Sequence, residues 1–318
     1  MEEISLKIKK ILEAKALKVK KLTLLAGDAS NRKYFEYFSS KKNYVIMFDN
    51  DKKNLEDFIK VTKILKKFVV VPSIIYDFRK QNILILENFG STKYADIITQ
   101  KNRKKIYKLA VDTIFNIQKI KNPDLPKYAL NTFIEESNLF FDWYLNYLKK
   151  NEINLLKKKF NLLFESYFSY VESIPQVLVH RDYHIDNLFY LSKPKNAKCG
   201  LIDYQDAVIG PCAYDLVSLT QDARIDVPKQ LEYELINYFL KENLKIKRKD
   251  FMLSYNLLGM QRHMKVLGIF CRLSIRDNKD QYLQHLPRVK NMLIENLQKE
   301  RFEKFLLLLS PLLDHVRY

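Results

Sequence analysis

Three side chains near the middle of the chain have the types and spacing that phosphoryl transfer requires. His180-Arg181-Asp182 is followed by four residues and then by Asn187, and Asp203 comes after a further apolar run. Phosphoryl transfer needs a carboxylate near the attacking hydroxyl, and oxygen ligands that hold Mg²⁺ against nucleotide phosphates. The spacing therefore predicts that Asp182 is the catalytic group and that Asn187 and Asp203 are metal ligands.

Two other interpretations of this segment are weaker. Asp and Asn are common in turns and at strand ends, but turn formation does not require three matches at these offsets beside apolar strands. His180 and His184 are four residues apart, yet no H-E-x-x-H pattern or thiolate ligand accompanies them. The pattern favours Mg²⁺ chemistry over a zinc site.

The residues before this segment predict a small sheet. Apolar residues at helical spacing predict a helix over 2–17, and runs rich in aromatic and β-branched residues then predict strands. A second helix, with Leu55, Phe58 and Leu65 on its apolar face, interrupts the strands. The predicted order is strand, strand, strand, helix, strand, strand, at residues 20–26, 32–38, 44–48, 53–67, 69–78 and 82–89.

The rest of the chain is predicted to be mainly helical. Helical spacing covers 93–173 and 214–315, and one hairpin-like β insert between them carries the Asp182 motif. The aromatic-rich stretch 138–150 is predicted to be core. We therefore predict an α+β fold with a small antiparallel β-rich N-terminal lobe, residues 1–87, that contains one helix, and a larger, mainly helical C-terminal lobe, residues 88–318.

Composition restricts the class of protein. The 318 residues are 47% hydrophobic and 29% charged, as in globular proteins, and no apolar stretch approaches the ~18 residues of a transmembrane helix. Three separate cysteines without C-x-x-C spacing favour a reducing, cytoplasmic location. The net charge of +18 comes from 43 lysines and only 12 arginines, without an arginine-rich stripe. We expect neither a nucleic-acid nor a membrane partner.

The segment HRDYHIDN, with the aspartate of LIDYQ, resembles the aminoglycoside phosphotransferase and choline kinase superfamily, whose fold is similar to that of protein kinases. The chain departs from protein kinases themselves, because Tyr204 and Gln205 follow Asp203 where protein kinases have D-F-G. The next predicted helix begins near Tyr214, which leaves no room for an activation loop. The resemblance implies a protein-kinase-like two-lobe fold and disfavours a protein kinase.

Several longer blocks resemble bacterial anomeric kinases of cell-wall recycling that act on N-acetylmuramate and N-acetylglucosamine. The blocks are LLAGDASNRKYFEY (24–37), YVIMFDN (44–50), LVHRDYHIDNLFY (178–190), LIDYQDAVIGPCAYDLVSLTQDAR (201–224) and MQRHMKVLGIFCRLSIRD (260–277). This resemblance implies Mg²⁺-dependent transfer of the ATP γ-phosphate to the C1 hydroxyl of a free amino sugar. The product is then a sugar α-1-phosphate, which a uridylyltransferase downstream would use. The two enzymes need not contact each other.

The kinase resemblance also implies positions for the nucleotide. The predicted nucleotide-binding residues are Gly27, Asp28, Ala29, Ser30, Arg32, Glu87 and Phe89. The first four lie between the first two predicted strands, where the kinase fold places its phosphate-covering loop and backbone N–H groups can bind phosphate. The last two fall at the predicted hinge, where backbone groups bind adenine. An ordinary hairpin turn and a strand ending at Gly90 explain the same residues.

The third predicted strand lacks the lysine of the kinase V-A-I-K pattern and has Met47 instead. Arg32, Lys33, Lys52 or Mg²⁺ alone are candidates for neutralising the nucleotide phosphates. A pseudokinase that binds nucleotide without catalysis remains an alternative.

The acceptor side is predicted from polar residues around and after the motif. The predicted substrate-binding residues are His184, Gln205, Asp206, Arg224, Arg262, His263 and Arg272. Arginine suits the lactyl carboxylate of N-acetylmuramate, because a guanidinium binds a carboxylate through two hydrogen bonds. A set of structural salt bridges explains the cations at 262–272 equally well. Asp215 is expected to orient the catalytic loop.

The sequence is also compatible with two rival functions. A phosphotransferase for another small alcohol, such as an aminoglycoside, choline or a homoserine-like metabolite, shares the motif but requires an acidic pocket when its acceptor is a cation. The cations at 262–272 disfavour that rival. A non-catalytic nucleotide-binding or nucleic-acid-binding protein is the second rival, because of Met47 and the net charge.

Overall fold

The computed structural model describes residues 2–27, 32–39, 42–148, 153–192, 196–243 and 245–313. The chain forms two compact units, and the segment 186–206 belongs to the first of them. We call Met1–Gln100 with Asp186–Asp206 the N-unit, and Lys101–Ile185 with Ala207–Tyr318 the C-unit. The predicted lobe boundary between residues 87 and 88 stays a prediction.

The N-unit contains a five-stranded antiparallel sheet with the strand order β1-β2-β3-β5-β4. Its strands are β1 (Lys21–Gly27), β2 (Lys33–Phe38), β3 (Asn43–Phe48), β4 (Ile74–Phe78) and β5 (Ile83–Glu87). Its main helices are α1 (Glu2–Ala14) and α2 (Lys52–Leu65), and α3 (Tyr94–Ile97) is a single turn. The predicted order of strands and helices is confirmed.

One face of this sheet packs against α1. Ile8 and Leu12 of α1 are fully buried with Phe35, Ile46 and Phe48, which alternate along β2 and β3. Because successive strand residues point to opposite faces, the residues between them point away from α1. The second face of the sheet includes the buried side chains of Met47 and Leu84.

Helix α2 buries the apolar stripe that its sequence predicts. Leu55, Phe58 and Leu65 are at most 2% exposed, and Asp51 caps the helix by accepting a hydrogen bond from the Lys53 backbone N at 2.9 Å. Phe58 stacks on Tyr204 with ring centroids 5.0 Å apart. This contact ties the segment that follows the second motif aspartate to α2.

The predicted β insert consists of two separate strand pairs. Strands β7 (Leu188–Leu191) and β8 (Lys198–Leu201) form a hairpin in the N-unit, whereas β6 (Gln176–Val179) pairs with β9 (Val208–Pro211) in the C-unit. Val70 bridges to Gly200 on β8. A Cβ atom at Gly200 would lie 2.8 Å from the Phe89 ring, so only glycine permits this approach.

The C-unit is mainly helical. Its helices are α4 (Arg103–Gln118), α5 (Leu130–Leu139), α6 (Ile153–Tyr167), α7 (Ser169–Glu172), α8 (Tyr214–Thr220), α9 (Lys229–Glu242), α10 (Arg248–Asp277), α11 (Leu286–Leu297) and α12 (Glu303–Leu313). A π-helical segment, Phe140–Leu145, continues α5 and buries Phe140, Phe141 and Tyr144 completely. The predicted aromatic core is therefore confirmed for these three residues, whereas Trp143 is half-buried and Tyr147 is 41% exposed.

Helix α10 is the central element of the C-unit and contacts α5, α8 and α11. A Cβ atom at Gly268 would lie 2.2 Å from the carbonyl carbon of Leu139, so glycine permits direct contact between the backbones. In the described residues, no helix combines the length and apolar composition needed to cross a membrane. Cys199, Cys212 and Cys271 carry free thiols and are buried.

Candidate active site

We call residues 180–187, which follow β6, the catalytic loop. The buried carboxylate of Asp215 binds two consecutive backbone N–H groups at the start of this loop. Asp215 on α8 accepts hydrogen bonds from the backbone N of His180 at 2.8 Å and of Arg181 at 3.1 Å. Arg181 has φ = +74°, a left-handed conformation that is strained for a residue with a Cβ atom. Burial raises the pKa of Asp215 to about 6. These bonds support the predicted role of Asp215 in orienting the loop.

Asp182 lies in a positive environment within the C-unit. Burial raises the pKa of Asp182, but the charges of Lys265 and Arg262 on α10 outweigh this effect, and the pKa lies below its ordinary value. The carboxylate is therefore ionised at neutral pH and can accept a hydrogen bond from a substrate hydroxyl. This state suits the predicted catalytic role.

Glu136 on α5 connects the catalytic loop to α10. Its carboxylate accepts hydrogen bonds from Arg181, from Lys265 Nζ at 2.8 Å and from the Tyr128 hydroxyl. The Tyr128 ring also lies 5.0 Å from the Arg181 guanidinium. Burial raises the pKa of Glu136, but Lys265 and Arg181 outweigh it and lower the pKa to about 2. We call Glu136, Arg181, Lys265 and Tyr128 the Glu136 cluster.

Arg262 is buried, and the described residues offer its guanidinium no hydrogen bond or ion pair. Its residue is only 3% exposed, yet in the part of the chain that the structure describes no group accepts a hydrogen bond or forms an ion pair with its guanidinium. The carboxylates of Asp182 and Asp222 act on it electrostatically and help to raise its pKa, whereas burial lowers it. A buried guanidinium without a partner is costly unless a ligand or water satisfies it.

The two predicted metal ligands lie at the base of the β7–β8 hairpin in the N-unit. The Ile202 backbone N donates to the Asn187 carbonyl at 3.1 Å, so the hairpin closes next to both ligands. Asn187 is 8% exposed, and Asp203 has φ = +62°. One amide oxygen and one carboxylate are the hard donors that Mg²⁺ prefers. The donor set therefore fits a magnesium ion that would also bind phosphate oxygens.

A chain of polar contacts extends from Asp203 across the N-unit. The Asp203 carboxylate accepts hydrogen bonds from Arg32 Nη1 at 3.2 Å and from Gln205 Nε2 at 3.0 Å. Arg32 also pairs with Asp49 at 3.4 Å, and Gln205 donates to Asp206 at 2.8 Å. Gln205 and Asp206 thus lie beside the predicted metal site, as their sequence positions indicate.

The other predicted nucleotide-binding residues occupy strand ends or lie outside the described residues. Gly27 ends β1, whereas Asp28, Ala29 and Ser30 are not among the described residues. The Glu87 carboxylate accepts hydrogen bonds from the backbone N and the hydroxyl of Ser73, at 3.1 and 2.8 Å. The Phe89 ring packs edge-on against Phe189 with centroids 5.7 Å apart. Both side chains are therefore engaged, which is compatible with a role through backbone groups only.

A comparison with protein families identifies the chemistry of this fold. The model of the phosphotransferase enzyme family matches residues 21–245, which include all of the catalytic and metal-binding candidates. The chain belongs to this family. It is therefore a phosphotransferase.

Curated relatives of the phosphotransferase share a specific name. A protein from Neisseria meningitidis named N-acetylmuramate/N-acetylglucosamine kinase is 30% identical over 86% of this chain and 84% of the relative. A protein of the same name from Pseudomonas aeruginosa is 32% identical over 83% of this chain and 80% of the relative. The predicted resemblance is confirmed.

Solved structures confirm the predicted fold class. A choline kinase from Streptococcus pneumoniae superposes with a TM-score of 0.65 at 14% identity, over 92% of this chain and 99% of that structure. The GDP complex of aminoglycoside 2′-phosphotransferase-IIIa gives a TM-score of 0.65 at 15% identity, over 90% and 98% of the two chains. The phosphotransferase thus has the protein-kinase-like α+β fold that its sequence predicts.

The predicted cations on α10 of the phosphotransferase differ in charge and in partners, and their role in substrate binding stays a prediction. His263 is buried and its ring lies 2.9 Å from Gln221 Oε1, and burial together with Arg262 lowers its pKa to about 3. It is therefore neutral at pH 7. Lys265 pairs with Glu136, and the half-buried Arg272 lies two turns beyond Lys265. Lys265 and Arg262, by contrast, carry charges that lower the pKa of Asp182.

The remaining predicted substrate-binding residues are near the catalytic loop or the loop after α8. His184 is 7% exposed, and its backbone N donates to the Asp182 carbonyl at 3.1 Å. Arg224 lies 3.9 Å from Asp222, whose carboxylate accepts a hydrogen bond from the Ile185 backbone N at 3.1 Å. Their roles in substrate binding stay predictions.

Two candidate functional residues, Glu136 and Asp49, were not predicted from the sequence. Glu136 lies within an ordinary amphipathic helix, and Asp49 follows a strand as turn residues commonly do. Each binds a cation far away in the sequence, since Arg181 comes 45 positions after Glu136 and Asp49 comes 17 positions after Arg32. No local spacing signals such pairs.

Proposed function

We propose that this phosphotransferase transfers the γ-phosphate of ATP to the C1 hydroxyl of N-acetylmuramate, N-acetylglucosamine or both. The main support is the name that relatives share at 30–32% identity over more than four fifths of this chain. The product is a sugar 1-phosphate, which suits a uridylyltransferase as the next enzyme of peptidoglycan recycling. The proposal includes a cytoplasmic location, where ATP and free amino sugars from the cell wall meet.

Asp182 is the proposed base or hydroxyl-orienting group. Its pKa is lowered, so it is ionised at neutral pH and accepts a hydrogen bond from the attacking hydroxyl. Asp215 and the Glu136 cluster fix the backbone and the neighbouring Arg181. Most of the acceleration then comes from positioning and from neutralising charge, as is usual in phosphoryl transfer.

Asn187 and Asp203 are the proposed ligands of Mg²⁺. When bound, the ion would neutralise charge on the nucleotide phosphates. The backbone bond between Ile202 and Asn187 holds the two ligands at one end of the hairpin. Loss of either oxygen donor is therefore expected to weaken binding of the Mg²⁺–nucleotide complex.

Arg262 favours an acidic acceptor over a cationic one. This buried guanidinium has no partner in the described residues and acts electrostatically on Asp182. The lactyl carboxylate of N-acetylmuramate would supply the missing partner, and a guanidinium binds carboxylate with two hydrogen bonds. Choline and aminoglycosides are cations and would be repelled. This supports an amino sugar acid among the substrates.

The test is consumption of ATP with Mg²⁺ in the presence of single acceptors. The panel is N-acetylmuramate, N-acetylglucosamine, glucose, choline and kanamycin, with Asp182→Asn as the matched blank. We expect turnover with one or both amino sugars, and a product that is acid-labile and lacks a free reducing end. Turnover with choline or kanamycin alone would move the function to another alcohol. ATP binding without turnover on any acceptor would support the pseudokinase alternative.

A further inference from the structure

Strand β3 of the N-unit has no cation where a kinase usually places its phosphate-binding lysine. The sequence there is Tyr-Val-Ile-Met-Phe, and Met47 is fully buried. Without this lysine, the charge of the phosphates must be neutralised by Arg32, Lys33, Lys52 or Mg²⁺ alone. The structure contains one such cation beside the predicted metal ligand.

Arg32 and Asp49 lie at corresponding ends of neighbouring strands. Lys33 on β2 pairs with Phe48 on β3, so the preceding and following residues, Arg32 and Asp49, are next in register. Phe48 packs on the α1 side of the sheet. Because side chains alternate, Arg32 and Asp49 belong to the opposite face, the face of Met47.

Asp49 is built to hold a cation. It is 1% exposed and accepts hydrogen bonds from the Asp51 backbone N at 2.8 Å and from Asn54 Nδ2 at 2.9 Å. Its remaining contact is Arg32 Nε at 3.4 Å. A buried carboxylate is stable only when paired and hydrogen-bonded. Three donors thus fix Asp49, and Asp49 in turn fixes one side of the guanidinium.

The other side of the Arg32 guanidinium points to the metal site. Arg32 is 7% exposed, and its Nη1 atom lies 3.2 Å from Asp203 Oδ1. Asp203 is a proposed ligand of Mg²⁺, which would neutralise charge on the nucleotide phosphates. The Arg32 guanidinium contacts this proposed metal ligand, so it lies near the place where the nucleotide phosphates would bind.

We propose that Arg32, positioned by Asp49, is the phosphate-binding cation that replaces the missing strand-β3 lysine. The inference rests on the proposed ATP-dependent function and extends it to the residue that neutralises the phosphates. Arg32 donates to phosphate oxygens beside the metal ion, and Asp49 acts only through Arg32. Lys33 is excluded by the alternation of β2, which places it on the α1 side with Phe35. Lys52 is exposed and begins α2.

The test is binding of Mg²⁺–ADP by calorimetry, together with the kinetics of ATP. The variants are Arg32→Gln, Asp49→Asn and the double variant, in which a neutral pair replaces the ion pair so that no charge is left buried alone. Lys53→Gln, at an exposed neighbouring lysine, is the matched control. A thermal melt of each variant checks its folding.

We expect Arg32→Gln to weaken Mg²⁺–ADP binding and lower kcat/KM for ATP by roughly 10²-fold, the size of effect that one fixed charge produces at an active site. Asp49→Asn should lower both values by roughly tenfold, and the double variant should be no worse than Arg32→Gln, since contacting residues are not additive. KM for the sugar should stay the same in all of them, and Lys53→Gln should match the wild type.

Three results would overturn the inference. They are unchanged ADP affinity in a folded Arg32→Gln variant, additive losses in the double variant, and an equal loss in Lys52→Gln. ADP binding needs no acceptor, so the test is independent of the sugar. A wild type that binds Mg²⁺–ADP but phosphorylates no amino sugar refutes the proposed function alone, whereas a wild type that binds no nucleotide refutes both.

Discussion

Replacement of Glu136 by Gln should destabilise the protein and slow phosphoryl transfer together. The substitution keeps the shape of the side chain but removes the negative charge that Arg181 and Lys265 share. Both cations are then left in a largely buried site. Arg181 adjoins Asp182, so its displacement shifts the catalytic carboxylate.

The pKa of Glu136 gives the size of the effect on stability. Its pKa is about 2, against an ordinary value of 4.5, and this difference corresponds to about 3 kcal/mol. Breaking a buried ion pair on one side costs about 3–5 kcal/mol, which agrees. For 318 residues, at about 2.1 cal/mol/K of unfolding entropy per residue, 3 kcal/mol lowers Tm by about 4–5 °C. The contribution is complete above pH 4.5 and is lost as the pH falls towards 2.

The assay combines thermal melts with steady-state kinetics at pH 7. Glu135→Gln is the matched control, because Glu135 is the exposed neighbour on the same helix and should change stability by less than about 0.5 kcal/mol. Glu136→Gln should also lower kcat by roughly 10- to 100-fold through loss of positioning, whereas Glu136→Asp should restore part of it. A Tm and kcat equal to those of Glu135→Gln would refute the role of the Glu136 cluster.

Four further outcomes are expected. Asp182→Asn should lower kcat by roughly 10²- to 10⁴-fold with ATP affinity nearly intact, and retained turnover would remove Asp182 as base. Asp203→Ala should abolish Mg²⁺-dependent nucleotide binding in calorimetry, and unchanged affinity would remove it from the metal site. Arg262→Gln should raise KM for N-acetylmuramate by roughly tenfold or more without raising KM for N-acetylglucosamine. An equal increase in KM for both sugars would contradict a contact between Arg262 and the lactyl carboxylate. The folded pKa of His263, about 3, lies below its ordinary value of 6.5, so the contribution of His263 to stability should fall by about 2 kcal/mol between pH 7 and 5. Urea titrations should therefore show a smaller fall in stability for His263→Gln than for the wild type over this pH range.

Local patterns in the sequence were sufficient to predict the helices and strands of the N-terminal sheet. Helices α1 and α2 and the strands of the sheet follow from apolar spacing that each segment carries itself. Apolar spacing does not predict that the β7–β8 hairpin belongs to the N-unit. That membership depends on contacts of Gly200 with Val70 and Phe89, more than a hundred residues away. Such contacts leave no periodic signal.

The residues of the candidate site that share one sequence motif were predictable. Those that form ion pairs with residues far away in the chain were not. Asp182, Asn187 and Asp203 have diagnostic spacing, whereas Glu136 and Asp49 become functional only through distant cations. The protonation of His263 was also hidden, because α10 is buried on nearly all sides and its sequence does not separate a ligand-facing side from a packed one. Spacing predicts the position of a residue on a helix but not its dielectric environment.

The separation of the hairpin from its sequence neighbours limits how the protein can be dissected. The chain passes from one unit to the other after Gln100, Ile185 and Asp206, so no single cut yields two complete pieces. A fragment that begins at residue 101 would keep the hairpin but lose the strand partner at Val70 and the Phe89 ring that fills the space over Gly200. The separately expressed fragments 1–100 and 101–318 should therefore fold poorly alone. They should recover structure on mixing, because the N-terminal fragment then binds the hairpin. Residue 100 is thus a site for fragment complementation and not for domain truncation.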